Sequence, residues 1–398
     1  MGKLGDMKVK LTSLDDDNIN FFYSTRALEI KYTSKSIKTP FRALTNGDLN
    51  AKGNVPSDMP LYSPIAGIHK PLTANKTLQI LTENEYPRKL IRSLENLSQQ
   101  MQHSQVILPI IQPARKAIDD NLKSEKAKDK FLQNLFTIQK LAQLDNICIP
   151  WLDYPTKKIS GKYQAILESS DDNFIFLIDP RLRPNELAKV SQFFREQIDT
   201  GRIHFLGILY QPVENVINSY NVLWEMFKEK DVALMMVDIG RYYQNFNDLS
   251  PSHLNEFILG DIFVPRVYSG GGSSDDDKGK AKKKRHVTER LRIFDSNNLT
   301  VAPIANYGDD SWLNLVKNEM NEDRILHKLQ HYNEAQEDSN KYQILNYISK
   351  VHEFLASTKE FKHSQEYIAK EESKAYIEEK ATLDSALKSV KGQSKLIC

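Results

Sequence analysis

Apolar, β-branched runs recur along the middle of the chain at residues 104–111 (SQVILPII), 146–152 (NICIPWL), 173–179 (NFIFLID), 203–210 (IHFLGILY), 231–238 (DVALMMVD) and 261–264 (DIFV). Most are continuous rather than alternating, the pattern of strands buried on both faces of a parallel sheet. Between them, apolar positions return at helical spacing. Phe131, Leu135, Ile138 and Ala142 form one such face, and Val216, Tyr220, Leu223 and Phe227 another. Leu187, Val190, Phe194 and Ile198 form a third, with Pro184 where a helix would start. Strand and helix alternate about every 30 residues, the size of one βαβ unit.

The flanks read differently. Residues 1–20 are polar and predict weak order. Arg26 to Tyr32 predicts a strand, with Ser36 to Phe41 as its partner. Residues 45–75 hold Gly, Pro and Asn and read as irregular, and residues 77–101 as one helix. Alternation of this kind leaves a closed (β/α)8 barrel or an open doubly wound sheet. No G-x-G-x-x-G follows a strand, so the dinucleotide-binding form of the open sheet loses support. The expected fold is therefore α/β, a parallel (β/α)8-type barrel. Six or seven runs precede the loop, and Arg290–Phe294 or Leu299–Ile304 would complete the circle.

Residues 269–286 break the rhythm with Ser269–Ser274, Asp275–Asp277 and then Lys278–His286, a low-complexity loop. Beyond residue 310 the pattern turns helical. Ile344, Tyr347, Ile348, Val351, Phe354 and Leu355 give an apolar stripe, and residues 359–392 are highly charged. The organisation expected is a polar segment 1–25, a barrel-like domain 26–310 and a C-terminal helical region 311–398.

Charge narrows the picture. The 54 basic residues nearly cancel the 52 acidic ones, so no global field selects nucleic acid or an anionic membrane. No apolar run approaches the roughly 20 residues of a membrane span, and the N-terminus shows no signal-peptide core. A cytoplasmic location is the expectation. Cys148 lies in an apolar run and Cys398 is last, which excludes a disulfide framework and a cysteine zinc site.

In a parallel α/β barrel the chemistry sits at the carboxyl ends of the strands. Those ends carry Asp153, Asp179, Gln211, Asp238 and the pair Arg266 and Tyr268. Such carboxylates supply a general acid or base, or ligate a metal. An Asp after a strand is equally an ordinary turn former or helix cap. The nine histidines form no metal-binding spacing, and His204 reads as a core histidine within a strand. No metal and no cofactor is expected. Lys282, Lys283, Lys284 and Arg285 form the sharpest basic cluster, suited to phosphate contact but without interleaved aromatics for base stacking.

Three segments together resemble the tRNA-guanine transglycosylase family: Leu28-Glu29-Ile30-Lys31-Tyr32 followed by Ile37-Lys38-Thr39-Pro40, then Leu259 to Tyr268, then Arg324 to Leu355. The resemblance implies a barrel that exchanges a base in nucleic acid. Joined to the strand-exit reading, it makes Asp179 and Asp238 candidate catalytic residues, with Asp261 or Asp238 as the Asp that could stand in for the nucleophile, Gln211, Arg266 and Tyr268 the candidate substrate contacts, and RNA or DNA the partner. The chain departs from the family where it matters: Val264 stands at the nucleophile position, the Asp-Ser-Gly segment is not recognisable, and the zinc cysteines are absent. Base exchange is then altered or lost. Two alternatives stand beside it. One is a small-molecule enzyme whose rim aspartates share a divalent metal. The other is a scaffold or homo-oligomer that binds a protein partner through the C-terminal helices.

Overall fold

The computed structural model of the chain describes residues 7–15, 25–32, 35–50, 63–211, 213–239, 250–251, 260–265, 292–295, 300–304 and 311–319, with helical positions 345, 348, 352 and 355. An antiparallel hairpin sheet comes first: β1 (Lys8–Asp15), β2 (Thr25–Tyr32) and β3 (Lys35–Lys38). The expectation of weak order over residues 1–20 therefore fails for β1, whose backbone pairs with β2 on both sides of an irregularity at Thr12.

Eight parallel staves follow. The first is β4 (Phe41–Arg42) with β5 (Leu44–Thr45), interrupted only at Ala43. After α1 (Asn46–Asn50) come β6 (Ile65–Leu72), α2 (Ala74–Thr82) and α3 (Glu85–Gln100). Then follow β7 (Val106–Pro113), α4 (Arg115–Asn121), α5 (Glu125–Leu141) and β8 (Asn146–Ile149). Next are α6 (Thr156–Ser169), β9 (Asn173–Ile178), α7 (Pro184–Asp199), β10 (Phe205–Leu209), α8 (Val213–Phe227) and β11 (Ala233–Ile239). The short β12 (Ser250–Pro251) precedes the last stave, β13 (Ile262–Pro265). Parallel pairing runs unbroken from β8 through β9, β10, β11 and β13 to β4, and separately from β5 through β6 to β7.

Closure needs two joints. At the first, β4 pairs with β13 while β5 pairs with β6, so one stave belongs to both sheets. The Ala43 N–H donates to Phe263 O at 2.9 Å, which carries the pairing through the interruption. At the second, β7 and β8 share no backbone ladder among the described residues, and side chains bridge them. Asn146 Nδ2 donates to Ile107 O at 2.8 Å, and the Gln112 amide takes the Trp151 N–H and gives to its carbonyl, both at 2.9 Å. With both joints made, the sheet is a closed eight-stranded α/β barrel.

The helical faces pack as their spacing predicts. Phe131, Leu135, Ile138 and Ala142 of α5, Leu187, Val190, Phe194 and Ile198 of α7, and Val216, Tyr220, Leu223 and Phe227 of α8 are all buried. Phe176 of β9 lies between Tyr163 of α6 and Phe194, with ring centroids 5.0 and 5.5 Å away.

Several expectations change. Residues 45–75 are not irregular throughout, because β5 and β6 are staves. Ser36–Phe41 does not act as one strand: β3 pairs with β2, while Phe41 begins the barrel. The helix expected over 77–101 is two, broken at Glu83 and Asn84. Neither β14 (Arg292–Asp295) nor β15 (Thr300–Pro303) completes the circle; with β12 they form a separate antiparallel sheet. His204 precedes β10 rather than lying within a strand. The chain continues in α9 (Ser311–Glu319), and Leu345, Ile348 and His352 are buried helical residues. His352 Nε2 lies 3.0 Å from Leu315 O, so this part of the C-terminal stripe packs within the chain instead of standing exposed. Among the described residues no helix is long and apolar enough to cross a membrane.

Candidate functional site at the barrel rim

Three consecutive strand exits make one cleft of about 570 Å³. Arg115 enters it after β7, Trp151, Asp153 and Tyr154 after β8, and Asp179 and Arg181 after β9. Glu186, in the first turn of α7, closes one side. These exits become neighbours only because the barrel is parallel, so that every strand ends on the same rim.

Asp153 carries the most constrained backbone of the group. Its φ is +52°, a left-handed conformation that a residue with a Cβ adopts at a cost of about 1–3 kcal/mol. Three donors from three elements fix it there. Trp151 Nε1 donates to Oδ1 at 2.6 Å, the Arg115 guanidinium pairs with Oδ2, and the Lys128 ammonium of α5 donates to its carbonyl oxygen. Trp151 is itself held through its backbone by Gln112 of β7. The joint that closes the barrel therefore also sets the position of Asp153.

Asp179 follows β9 directly and is buried. Its Oδ1 accepts the Arg181 N–H at 3.0 Å, a local turn of the kind Asp favours, and its two oxygens take Arg181 Nε at 2.9 and 3.0 Å. The Asp179 side chain is 4% exposed and that of Arg181 is 46% exposed. A buried carboxylate thus anchors a guanidinium that reaches solvent. A looser version holds at Asp153 and Arg115, whose side chains are 24% and 52% exposed, so that this carboxylate is partly buried.

Behind these pairs, the Tyr154 hydroxyl donates to Asp129 Oδ1 at 2.8 Å, and Lys162 Nζ meets Asp129 Oδ2 at 2.6 Å. Burial, and then the hydrogen bond to Asp129, push the Tyr154 hydroxyl well above its ordinary range, so it remains a neutral donor. Burial lowers the Lys128 ammonium from its ordinary value.

The residues expected at the site fare unequally. Asp153 and Asp179 both line the cleft. Gln211 follows β10 outside this cleft, its backbone N–H and carbonyl both bonded to the Tyr220 hydroxyl at 3.0 and 2.8 Å. Asp238 lies in β11 where pairing with β13 shifts register between Val237 and Ile239; its side chain lies outside the described residues. So do Arg266, Tyr268, Lys282, Lys283, Lys284 and Arg285 entirely.

Asp261 belongs to the opposite mouth. It immediately precedes β13, at the amino end of the staves, and its oxygens take Arg26 Nε at 3.0 Å and the Leu234 N–H at 2.7 Å. A carboxylate at that end cannot join the rim. Val264, at the nucleophile position of the resemblance, is a buried stave residue whose Cγ1 lies 3.0 Å from where a Cβ on Gly67 would stand. Among the described residues no three His, Cys, Asp or Glu side chains converge as metal ligands.

Sequence reasoning missed Arg115, Trp151, Tyr154 and Arg181, and Lys128 behind them. Arg181 had a legible signal, two residues after a rim aspartate in a turn. The other four acquire meaning only once β7, β8 and β9 are known to be neighbours.

No family model matches the chain, and no curated protein matches it. Among solved structures, a chain of the tryptophan synthase a2b2 complex from the hyperthermophile Pyrococcus furiosus is similar at 12% identity and a TM-score of 0.30, over 57% of this chain and 86% of that one. The barrel rests on its own strand pairing, and the likeness adds no argument about its chemistry.

Proposed function

We propose that this protein binds a small molecule bearing a phosphate or carboxylate group in the rim cleft over β7, β8 and β9. The observation that carries the reading is the repeated pair: Arg115 on Asp153 and Arg181 on Asp179, each a half-exposed guanidinium anchored to a less exposed carboxylate at a strand exit. A guanidinium is a planar, permanently charged fork of N–H donors and suits an oxyanion better than an ammonium does; Arg115 also pairs with Asp119 at 3.5 Å. Anchoring removes most of the side-chain freedom that anion binding would otherwise cost. The test is calorimetric titration with pyrophosphate and with citrate at low salt. Each of Arg115→Met and Arg181→Met is expected to weaken binding by about tenfold or more, the value of one charged hydrogen bond. Binding of neither probe, or binding unchanged in both variants, overturns the reading.

A nucleic-acid partner is the second reading, and one observation favours it: Asp179 lines a cleft with room for a base, beside two guanidiniums fit for phosphates. It keeps the transglycosylase-like barrel as a binding module, with base exchange altered or lost at Val264. Single-stranded RNA and DNA oligonucleotides should then compete with pyrophosphate, with affinity falling steeply as salt rises. Indifference to both at low salt ends this reading and leaves the first intact.

A further inference from the structure

Lys128 is a charged residue on a buried helical face. It lies one turn before Phe131 and Leu132 of α5, both buried, and is itself buried. An ammonium removed from water costs several kcal/mol unless a partner compensates it. Among the described residues no carboxylate lies within ion-pair distance of Lys128. Its hydrogen bond goes instead to the carbonyl of Asp153, and its Nζ stands 5.3 Å from the centre of the Tyr154 ring. A Leu or Met would fill the same face at lower cost. The carbonyl that Lys128 holds is that of the left-handed residue whose carboxylate anchors Arg115. Lys162 approaches the same Tyr154 ring at 5.8 Å and pairs with Asp129, which takes the Tyr154 hydroxyl. Two lysines from two helices thus brace one corner of the rim, and Lys128 is the one bonded to its backbone.

We propose that Lys128 is a positioning residue for the anion site: it holds the Asp153 peptide in its left-handed conformation, so that the Asp153 carboxylate presents the Arg115 guanidinium to the ligand. The proposal rests on the anion-binding reading above. Lys128 touches no ligand; it acts through Asp153 and then Arg115.

The experiment is a double-mutant cycle on the full chain, with pyrophosphate as probe and thermal stability measured alongside. Lys128→Met is expected to weaken pyrophosphate by about tenfold, one hydrogen bond's worth of positioning. Lys128→Arg, which keeps a cationic donor, should stay within about twofold of the parent, the scale on which non-interacting changes agree. In the Arg115→Met background, Lys128→Met should cost nothing more, because its target is gone. A purely structural lysine would lower stability and leave the coupling at zero, so equal weakening in both backgrounds overturns the proposal, as does unchanged affinity in Lys128→Met. Should Lys128→Met fail to fold, Lys128→Leu, which also lacks a donor, is read the same way. If Arg115→Met and Arg181→Met leave pyrophosphate binding untouched, the anion site itself has failed, an outcome separate from the cycle.

Discussion

Cys148 shows how a reactive group is silenced at the scale of one side chain. It is fully buried in β8, with its Sγ 3.4 Å from the Ile111 N–H, and burial pushes its thiol up to about 12. The thiolate is the nucleophile, so at neutral pH almost none exists. Iodoacetamide at pH 8 should therefore leave Cys148 unmodified while the protein is folded, and label it only as denaturant unfolds the barrel. Peptide-resolved mass spectrometry keeps that signal apart from Cys398; rapid native labelling of Cys148 would contradict the burial. Reading Cys148 as a small core residue needed only its apolar neighbours. Asp179 was legible for a similar reason, since a turn-forming Asp at a strand exit has both its local and its functional role written in adjacent residues. Asp261 was not. The same residue type next to an apolar run lies at either mouth, depending on which side of the strand it falls, and Asp261 falls before β13. Lys128 was illegible because a lysine on a helix reads as solvated until the buried face of α5 is known.

At the scale of elements, two glycines test opposite sides of packing. Gly207 of β10 has no room for a side chain. A Cβ there would collide with Leu177 Cδ2 and stand 3.3 Å from Val237 Cγ2 and 3.5 Å from Met235 Cε. Those neighbours belong to β9 and β11, so the collision lies between staves. Gly207→Ala should destabilise by about 1–3 kcal/mol, the usual cost of overpacking. Gly161 sits inside α6 with nothing within 4 Å of a built Cβ. There, Gly161→Ala should stabilise by about 0.5–1 kcal/mol, because alanine restricts the unfolded chain without a clash. Urea unfolding of both variants checks the pair, and a stabilised Gly207→Ala would deny tight packing between the staves. The continuous strands β8 to β11 were legible because burial on both faces leaves no polar interruption. β6 was missed because Gly67, His69, Lys70 and Pro71 break its run. Gly67 comes close to Val264 of β13, on the far side of the β4–β5 stave, where a Cβ would stand 3.0 Å from its Cγ1, a contact between residues far apart in sequence.

At the scale of the whole molecule, the proposed anion site and the buried pair of Arg26 and Asp261 lie at opposite mouths of the barrel. The rim carries the paired guanidiniums, while the amino end is fastened by one buried ion pair. Arg26 of β2 reaches Asp261 before β13, and also donates to Val232 O at 2.8 Å, before β11, and to Phe227 O, at the end of α8. Asp261 in turn takes the Leu234 N–H of β11 at 2.7 Å. Burial pushes the Asp261 carboxyl up, and Arg26 opposes that shift. Removing Arg26 alone strands a charge in the interior, a cost of about 3–5 kcal/mol, and in the same step takes the donor from Val232 O and Phe227 O, so Arg26→Met carries both losses. Replacing both partners by apolar residues removes the stranded charge, and in a simple pair that exchange is often near neutral. Here it is not simple. The double variant Arg26→Met with Asp261→Leu also leaves Val232 O, Phe227 O and the Leu234 N–H without these partners, and each unsatisfied buried group costs about 1–3 kcal/mol. The expected order of stability in guanidinium unfolding is therefore parent, double variant, Arg26→Met. A double variant as stable as the parent would make the pair dispensable and leave the hairpin sheet as a mere cover. A double variant less stable than Arg26→Met would mean that the backbone bonds, rather than the ion pair, fasten the first sheet to the barrel. In either case the rim should keep its affinity for pyrophosphate in the fraction that stays folded, because no residue of the clamp touches the exits of β7, β8 or β9.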